Sequence, residues 1–239
     1  MSVWTPKRFW QAAAVTEAPG GFTVTLDGRA VKTPAKAPLV VPTRALAEAI
    51  ATEWQAQDKV VDPRTMPFTR SANAAIDKVA VQFDEVAELI AAYGASDLIC
   101  YRAEAPAELV ARQAAGWDPL MAWAGAALGA PLVATTGVMH HPQPPESLEV
   151  LARRVRGLTP FELTAAHDLV GLSGSLVIGL AALHGHATPE TLWQLSRIDE
   201  TWQQELWGVD EEAAAMDDQR RLAFLHAARF HALCQNNPA

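Results

Sequence analysis

The spacing of the apolar residues changes near residue 43, and this change most constrains the fold. Before residue 43, segment 22–26 alternates apolar and polar side chains, and Asp27-Gly28 follows it as a dipeptide typical of tight hairpin turns. A second extended run resumes after this turn, and residues 37–42 form a further short piece whose prolines suit an edge strand. We therefore predict a small antiparallel sheet in the N-terminal part.

Helical spacing begins behind Thr43 and continues almost to the C-terminus. Thr43 suits a helix N-cap, and Leu46, Ile50 and Trp54 recur every fourth residue after it, so we expect this apolar stripe to be core. Segment 131–139 is apolar and β-branched, and it could be a short strand or an extended connector. Further helices are predicted at about 71–93, 106–128, 146–156, 160–183, 188–207 and 209–233.

These patterns predict an α+β fold, with a small β-containing N-terminal domain at residues 1–80 and a larger all-helical C-terminal domain at residues 81–239. A chain of 239 residues with 50% hydrophobic and 19% charged residues can bury such cores. The longest uncharged run, 169–183, would measure roughly 22 Å as a helix, which is too short to span a bilayer. We expect it to be a buried helix whose small residues let a neighbour approach closely, and we expect no membrane insertion.

Charge and cysteine content exclude several classes of function. The formal net charge is −8 and the basic residues are scattered, which argues against nucleic acid and against an anionic membrane surface as partners. Two cysteines, Cys100 and Cys234, do not form a disulfide framework and indicate a reduced compartment. Residues 1–7 lack the apolar core of a signal peptide. We expect a cytoplasmic location in a bacterium, or the mitochondrial matrix for a processed eukaryotic relative.

Segment 192–208 is the most unusual predicted helix. At about 100° per residue, its apolar side chains share one arc of roughly 120°; they are Leu192, Leu195, Ile198, Trp202 and Leu206. Asp199 lies inside this arc, whereas Trp193 and Trp207 lie outside it, beside the polar residues. Such an inverted pattern indicates a helix that binds another protein, since aromatic anchors are enriched at interfaces, and we predict both indoles to be exposed. The alternative is a helix packed on two sides, with Asp199 paired to a nearby arginine.

Short blocks of sequence, distributed over most of the chain, together resemble one known protein family. The block in the unusual helix is Ser196-Arg197-Ile198-Asp199-Glu200, followed by Glu205 and Trp207-Gly208. The others include Arg8-Phe9-Trp10, segment 24–34, segment 39–43, Asp97 to Arg102, Gln113 with segment 117–120, and segment 162–164. In this order the blocks resemble the assembly chaperones of F1 ATP synthase that bind the unassembled α subunit. The resemblance covers about residues 8 to 213.

The resemblance implies a function without catalysis. The implied partner is the F1 α subunit, held before it meets the β subunit, and we expect the chaperone to be a monomer that needs no cofactor. The residues expected to bind the partner are Asp199, Glu200, Trp193, Arg197, Glu205 and Trp207.

The residues themselves show no pattern that indicates an enzyme. The sequence contains no Cys-x-x-Cys pair, no helical His-x-x-x-His pair with a neighbouring Glu, and no phosphate-binding loop. Segment 171–175 has serine where a nucleophile elbow needs its last glycine. We therefore predict no metal and no catalytic residue. The alternative of a different class is a small-molecule enzyme that uses Asp199 and Glu200 with His184 or His186 as acid and base.

Overall fold

The computed structural model describes residues 7–235. The chain forms two compact units: the first contains the residues up to 83 together with 159–164 and the stretch from 229, and the second contains 84–158 and 165–228. Residues 1–6, which include most of the segment compared with a signal peptide, lie outside the described residues, as do residues 236–239. The domain boundary at residue 80 stays a prediction.

The first unit is built on a small antiparallel sheet. Its strands are β1 (Ala13–Ala18), β2 (Gly21–Leu26), β3 (Arg29–Ala30) and β4 (Val40–Val41). Strand β2 pairs with each of the other three, and its register with β1 places Val24 opposite Val15. The side chains of β2 from Thr23 to Leu26 are buried, so this strand contributes directly to the core of the unit.

The turn between β2 and β3 is the predicted Asp27-Gly28 hairpin. Both residues have positive φ, 47° and 81°, as the tight turn that matches strand twist requires. The Asp27 carboxylate also accepts the backbone N–H of Ala12 at 2.9 Å and that of Gln11 at 3.0 Å. The hydrogen bond from Ala12, more than any other interaction, lowers the pKa of Asp27. The hairpin prediction is confirmed.

Helix α1 (Arg44–Gln55) follows the sheet as predicted. The Thr43 hydroxyl accepts the backbone N–H of Leu46 at 3.1 Å and so caps the helix. Leu46 and Ile50 are fully buried. Trp54, in the last turn, is half-buried, and its ring meets that of Trp10 edge-on at 5.3 Å. The core prediction therefore holds for the first two residues of the stripe and only in part for Trp54.

Helix α2 (Pro67–Ala74) begins against the end of α1, and a π-helical turn (Ala75–Val79) continues it. The carboxylate of Glu53 in α1 accepts the backbone N–H groups of Phe68 and Thr69 at 2.6 and 2.8 Å. Burial raises the pKa of this carboxyl, and the hydrogen bonds from Thr69 and Phe68 oppose that shift. The Glu53 carboxylate of α1 thus accepts hydrogen bonds from the free backbone N–H groups at the start of α2.

The second unit is helical apart from one pair of two-residue strands. Its elements include α3 (Phe83–Ala91), β5 (Tyr101–Arg102), α4 (Ala107–Trp123) with a π-helical end (Ala124–Leu128), β6 (Thr135–Thr136), α5 (Pro145–Arg156), α6 (Pro160–Ser173), α7 (Leu176–Leu183), α8 (Pro189–Ser196), α9 (Ile198–Trp207) and α10 (Glu211–Cys234). Strands β5 and β6 pair in parallel, so the segment around 135 is a short strand. The first turn of α6 and the last turns of α10 belong to the first unit.

Helix α7 lies at the centre of the second unit. Its residues from Leu176 to Ala181 are buried. The Asp97 carboxylate, fully buried, accepts the backbone N–H of Val177 at 3.0 Å and that of Ile99 at 3.2 Å. Burial raises the pKa of Asp97 to about 6, although the hydrogen bonds oppose the shift. Among the described residues, no helix is both long and apolar enough to cross a membrane.

Candidate partner-binding site

The segment predicted as one helix at 188–207 forms two, α8 and α9. Helix α8 begins as predicted, because the Thr188 hydroxyl accepts the backbone N–H of Thr191 at 3.2 Å and Pro189 follows it. Arg197 then leaves helical geometry, with φ −115° and ψ 19°, and α9 starts at Ile198. The prediction of one continuous helix is wrong, so the arc drawn through residues 192–206 does not describe one face.

Trp193 is buried, and the prediction that it is exposed is wrong. Only 2% of its surface is accessible, and its ring lies 5.6 Å from that of the fully buried Phe224 in α10. The Arg197 guanidinium lies 4.9 Å from the centre of the same indole. Helix α10 therefore covers the side of α8 that the sequence pattern assigned to solvent.

Trp207 is exposed, as predicted. It retains 78% of its accessible surface at the end of α9. Leu206 and Val209 beside it are also exposed, and Gly208 between them ends the helix with a φ of 86°. We call these three apolar residues, Leu206, Trp207 and Val209, the apolar tip. Three large apolar side chains are thus exposed within four positions of the chain.

Asp199 is half-buried and hydrogen-bonded to a neutral group. Its Oδ1 atom accepts a hydrogen bond of 2.7 Å from Nε2 of Gln113 in α4. Within residues 7–235, no Lys, Arg or His nitrogen lies within 4.0 Å of this carboxylate. The alternative in which Asp199 is paired with an arginine is therefore wrong.

The two glutamates of α9 are paired with arginines. Glu200 is exposed and lies 3.0 Å from the Arg197 guanidinium. Glu205 accepts two hydrogen bonds of 2.8 Å from Arg112, which also lies 4.9 Å from the centre of the Trp202 ring. The hydrogen bonds from Arg112 lower the pKa of Glu205. Arg197, Asp199, Glu200 and Glu205 thus share the α9 region, but only Asp199 keeps an unpaired charge.

Helix α4 supplies residues that the sequence analysis did not assign to the site. Gln113 is 1% exposed, and Trp117 donates its indole N–H to the carbonyl of Leu195 at 2.8 Å. Gly116 lets the helices meet, since a Cβ atom there would lie 2.7 Å from Cδ1 of Ile198. In the sequence, Gln113 was marked only by its place in one of the resembling blocks, because the contacts that reveal its role join residues more than 75 positions apart.

The residues invoked for the enzyme alternative do not converge. His184 and His186 lie against the Trp123 ring, at 5.9 and 4.7 Å between ring centres. Neither forms a hydrogen bond or ion pair with Asp199 or Glu200 in the described part of the chain. Burial raises the pKa of the Cys100 thiol to about 12, so it is a poor nucleophile. The described residues also contain no group of three or more His, Cys, Asp or Glu side chains that could hold a metal ion.

Comparison with known proteins places the chain in a family. The family described as ATP12 chaperone protein matches residues 7–125. The crystal structure of Atp12 from Paracoccus denitrificans is 52% identical to this chain, with a TM-score of 0.94, and the match covers 96% of this chain and 98% of that one. The chain belongs to the ATP12 chaperone family.

Two further relatives agree with this assignment. A crystal structure of an Agrobacterium tumefaciens protein described as a candidate chaperone is 44% identical, with a TM-score of 0.89, over 96% of this chain and 85% of that one. The mitochondrial protein atp12 of Schizosaccharomyces pombe is 26% identical over 225 residues, which cover 89% of this chain and 77% of the relative. The resemblance to F1 ATP synthase assembly chaperones is therefore confirmed, and the predicted α+β fold is confirmed with it.

Proposed function

We propose that this member of the ATP12 chaperone family binds the unassembled F1 ATP synthase α subunit, shields its β-facing surface from aggregation and releases it during F1 assembly. The observation that carries the proposal is the combination, on one helix, of the exposed indole of Trp207 with the unpaired carboxylate of Asp199. An apolar anchor and a carboxylate on the same helix suit recognition of a protein surface, because the anchor supplies apolar contact and the charge adds affinity and selectivity for a basic group.

The proposed client explains why such a surface is useful. A subunit that has not met its neighbour exposes apolar area that would otherwise aggregate. The apolar tip can cover part of that area, while Glu200 and Glu205 stay solvated and paired to Arg197 and Arg112. Trp193 supports α8 from beneath in place of contacting the client, since it is buried. We further propose that the protein acts as a monomer, without a cofactor and without catalysis, in the bacterial cytoplasm or, for processed relatives, in the mitochondrial matrix.

The proposal is tested by adding the purified protein to isolated α subunit and following light scattering. We expect suppression of α-subunit aggregation at near-stoichiometric amounts, and no comparable effect on isolated β subunit. Asp199→Asn is expected to fold normally and to lose most of this protection, whereas Asp199→Glu should retain much of it. Glu48→Gln removes a charge from the exposed face of α1 and serves as the matched control.

Two results would contradict the proposal. If the parent protein fails to suppress α-subunit aggregation at any molar ratio of chaperone to α subunit, the α subunit is not its client. If Asp199→Asn melts like the parent and protects the α subunit fully, Asp199 does not contact the client.

A further inference from the structure

We infer that Gln113 is a positioning residue: it holds the Asp199 carboxylate so that its second oxygen meets a basic side chain of the bound client. This inference rests on the proposed function, because it needs a protein client at α9. It extends the proposed binding site by one residue of α4 and specifies that the client must present a basic group to Asp199.

The orientation of the Gln113 amide is fixed from inside the protein. Its Oε1 atom accepts the backbone N–H of Ala103 at 2.8 Å, and a backbone N–H can only donate. The amide nitrogen is therefore the atom that faces Asp199, to which it donates at 2.7 Å. Because Gln113 is 1% exposed, solvent does not compete for either bond. One oxygen of Asp199 is thus held by a neutral donor on a buried scaffold.

The other oxygen is left for the client. Oδ2 of Asp199 accepts no hydrogen bond from the residues that the structure describes, whereas Glu200 and Glu205 each have an arginine. A half-buried carboxylate with a neutral partner lies in surroundings that screen its electrostatic interactions less than open water does. A lysine or arginine of the client would form a charge-assisted hydrogen bond to this oxygen, and the fixed rotamer would reduce the entropy lost on binding. The geometry therefore selects a client with a basic side chain beside its apolar surface.

A purely structural role for Gln113 makes a different prediction. In that case the hydrogen bond between positions 113 and 199 matters only for the packing of α4 against α9, and either end could carry the carboxylate. Exchanging the two groups tests whether the carboxylate must stand at position 199, because it retains the hydrogen bond and the net charge but moves the carboxylate from the surface to the buried position. A substitution of Gln113 alone, with Asp199 kept in place, tests whether Gln113 positions that carboxylate.

The experiment uses the full chain with the double substitution Gln113→Glu/Asp199→Asn and each single substitution. Gln113→Glu alone places two carboxylates face to face, so its melting temperature should fall. In the double variant the introduced carboxylate accepts both from Ala103 and from the introduced amide, so the melting temperature should recover part of that loss, while desolvation of the buried carboxylate opposes a full recovery. Its affinity for the α subunit should nevertheless stay reduced by about tenfold or more. Double-variant binding equal to that of the parent would overturn the inference.

A salt series tests the basic group on the client. The dissociation constant of the parent should rise more steeply with ionic strength than that of Asp199→Asn, because only the parent forms the ion pair. Equal slopes would refute a basic contact. Gln113→Met retains the length of the side chain without the amide and leaves Asp199 in place, so it tests Gln113 itself. It should fold and bind the α subunit more weakly, and unchanged affinity in a folded variant would overturn the role of Gln113. Failure of the parent itself to bind the α subunit would instead reject the proposed function.

Discussion

Trp193 and Trp207 lie 14 positions apart on consecutive helices, and the structure predicts opposite consequences of replacing them with alanine. Trp193 retains 2% of its accessible surface and Trp207 retains 78%. Trp193→Ala should therefore destabilise the fold, whereas Trp207→Ala should leave stability nearly unchanged and weaken protection of the α subunit.

The expected magnitudes follow from the area that each side chain buries. A fully buried aromatic residue removes about 150–250 Å² from water, which at about 25 cal/mol per Å² corresponds to about 4–6 kcal/mol. Measured truncations of buried aromatic residues cost about 3–5 kcal/mol, and we expect Trp193→Ala to fall in that range. Loss of the ring beneath the Arg197 guanidinium adds to this cost. Trp207 buries only about a fifth of its surface, so the same estimate gives about 1 kcal/mol or less for Trp207→Ala.

Urea unfolding and α-subunit aggregation, measured on the same preparations, check both halves of this prediction. Trp193→Phe is the control for the buried site, because it keeps an aromatic ring against Phe224 and should recover part of the lost stability. Loss of several kcal/mol in Trp207→Ala would show that its indole is packed in solution. Full protection by a folded Trp207→Ala variant would remove the apolar tip from the proposed client surface.

Further predictions concern the core of the second unit. Gly179→Ala should lower the unfolding free energy by about 1–3 kcal/mol, because the added Cβ would lie 2.4 Å from Cγ2 of Val170, and Val170→Ala in the same chain should recover part of that loss. Gly171→Ala, whose Cβ meets no atom within 4 Å, should instead stabilise the protein by about 0.5–1 kcal/mol. Equal effects of the two glycine substitutions in urea unfolding would contradict the packing argument. Since burial raises the pKa of Asp97 from 3.8 to about 6, its contribution to the unfolding free energy is fully present below pH 3.8 and falls by about 3 kcal/mol as the pH rises to about 6. Asp97→Asn should flatten this part of the stability profile, and an unchanged slope would assign the pH dependence to other groups.

Features that depend on neighbours in sequence could be predicted from the sequence, and this explains which predictions were right. The Asp27-Gly28 turn needs only two residues that tolerate positive φ, and the Thr43 cap needs only a hydroxyl three residues before a free N–H. For the segment around 135 the sequence allows either a strand or a connector, since its partner strand, β5, lies more than 30 positions earlier. Local pattern alone could not choose between them.

The errors in the site have the same origin. Helical periodicity assigns one face of a helix to the core and the other to solvent, so it placed Trp193 outside without seeing that α10 covers it through Phe224. It also continued the helix through Arg197, whose backbone departs from helical geometry. The alternative interpretation paired Asp199 with an arginine, but the partner of Asp199 is Gln113 in α4, 86 positions earlier. The apolar residues from Leu192 to Leu206 were thus identified correctly, but they do not share one helix face, because α8 and α9 are separate helices.

The pairing of charges on α9 bears on how a chaperone can bind firmly and still release its client. Glu200 and Glu205 are already neutralised by arginines of the same chain, so covering them would require desolvation of formed ion pairs and would contribute little affinity. Asp199 is the acid of this helix for which the described residues provide no cation, and the exposed Trp207 is the large anchor near the helix end. A contact surface with one selective charge and a few apolar anchors limits the binding free energy to a small number of residues. We therefore expect a few contacts, chiefly those of Asp199 and Trp207, to supply both the affinity and the selectivity for the proposed client, so that a β subunit competing for the same apolar area has only these contacts to displace.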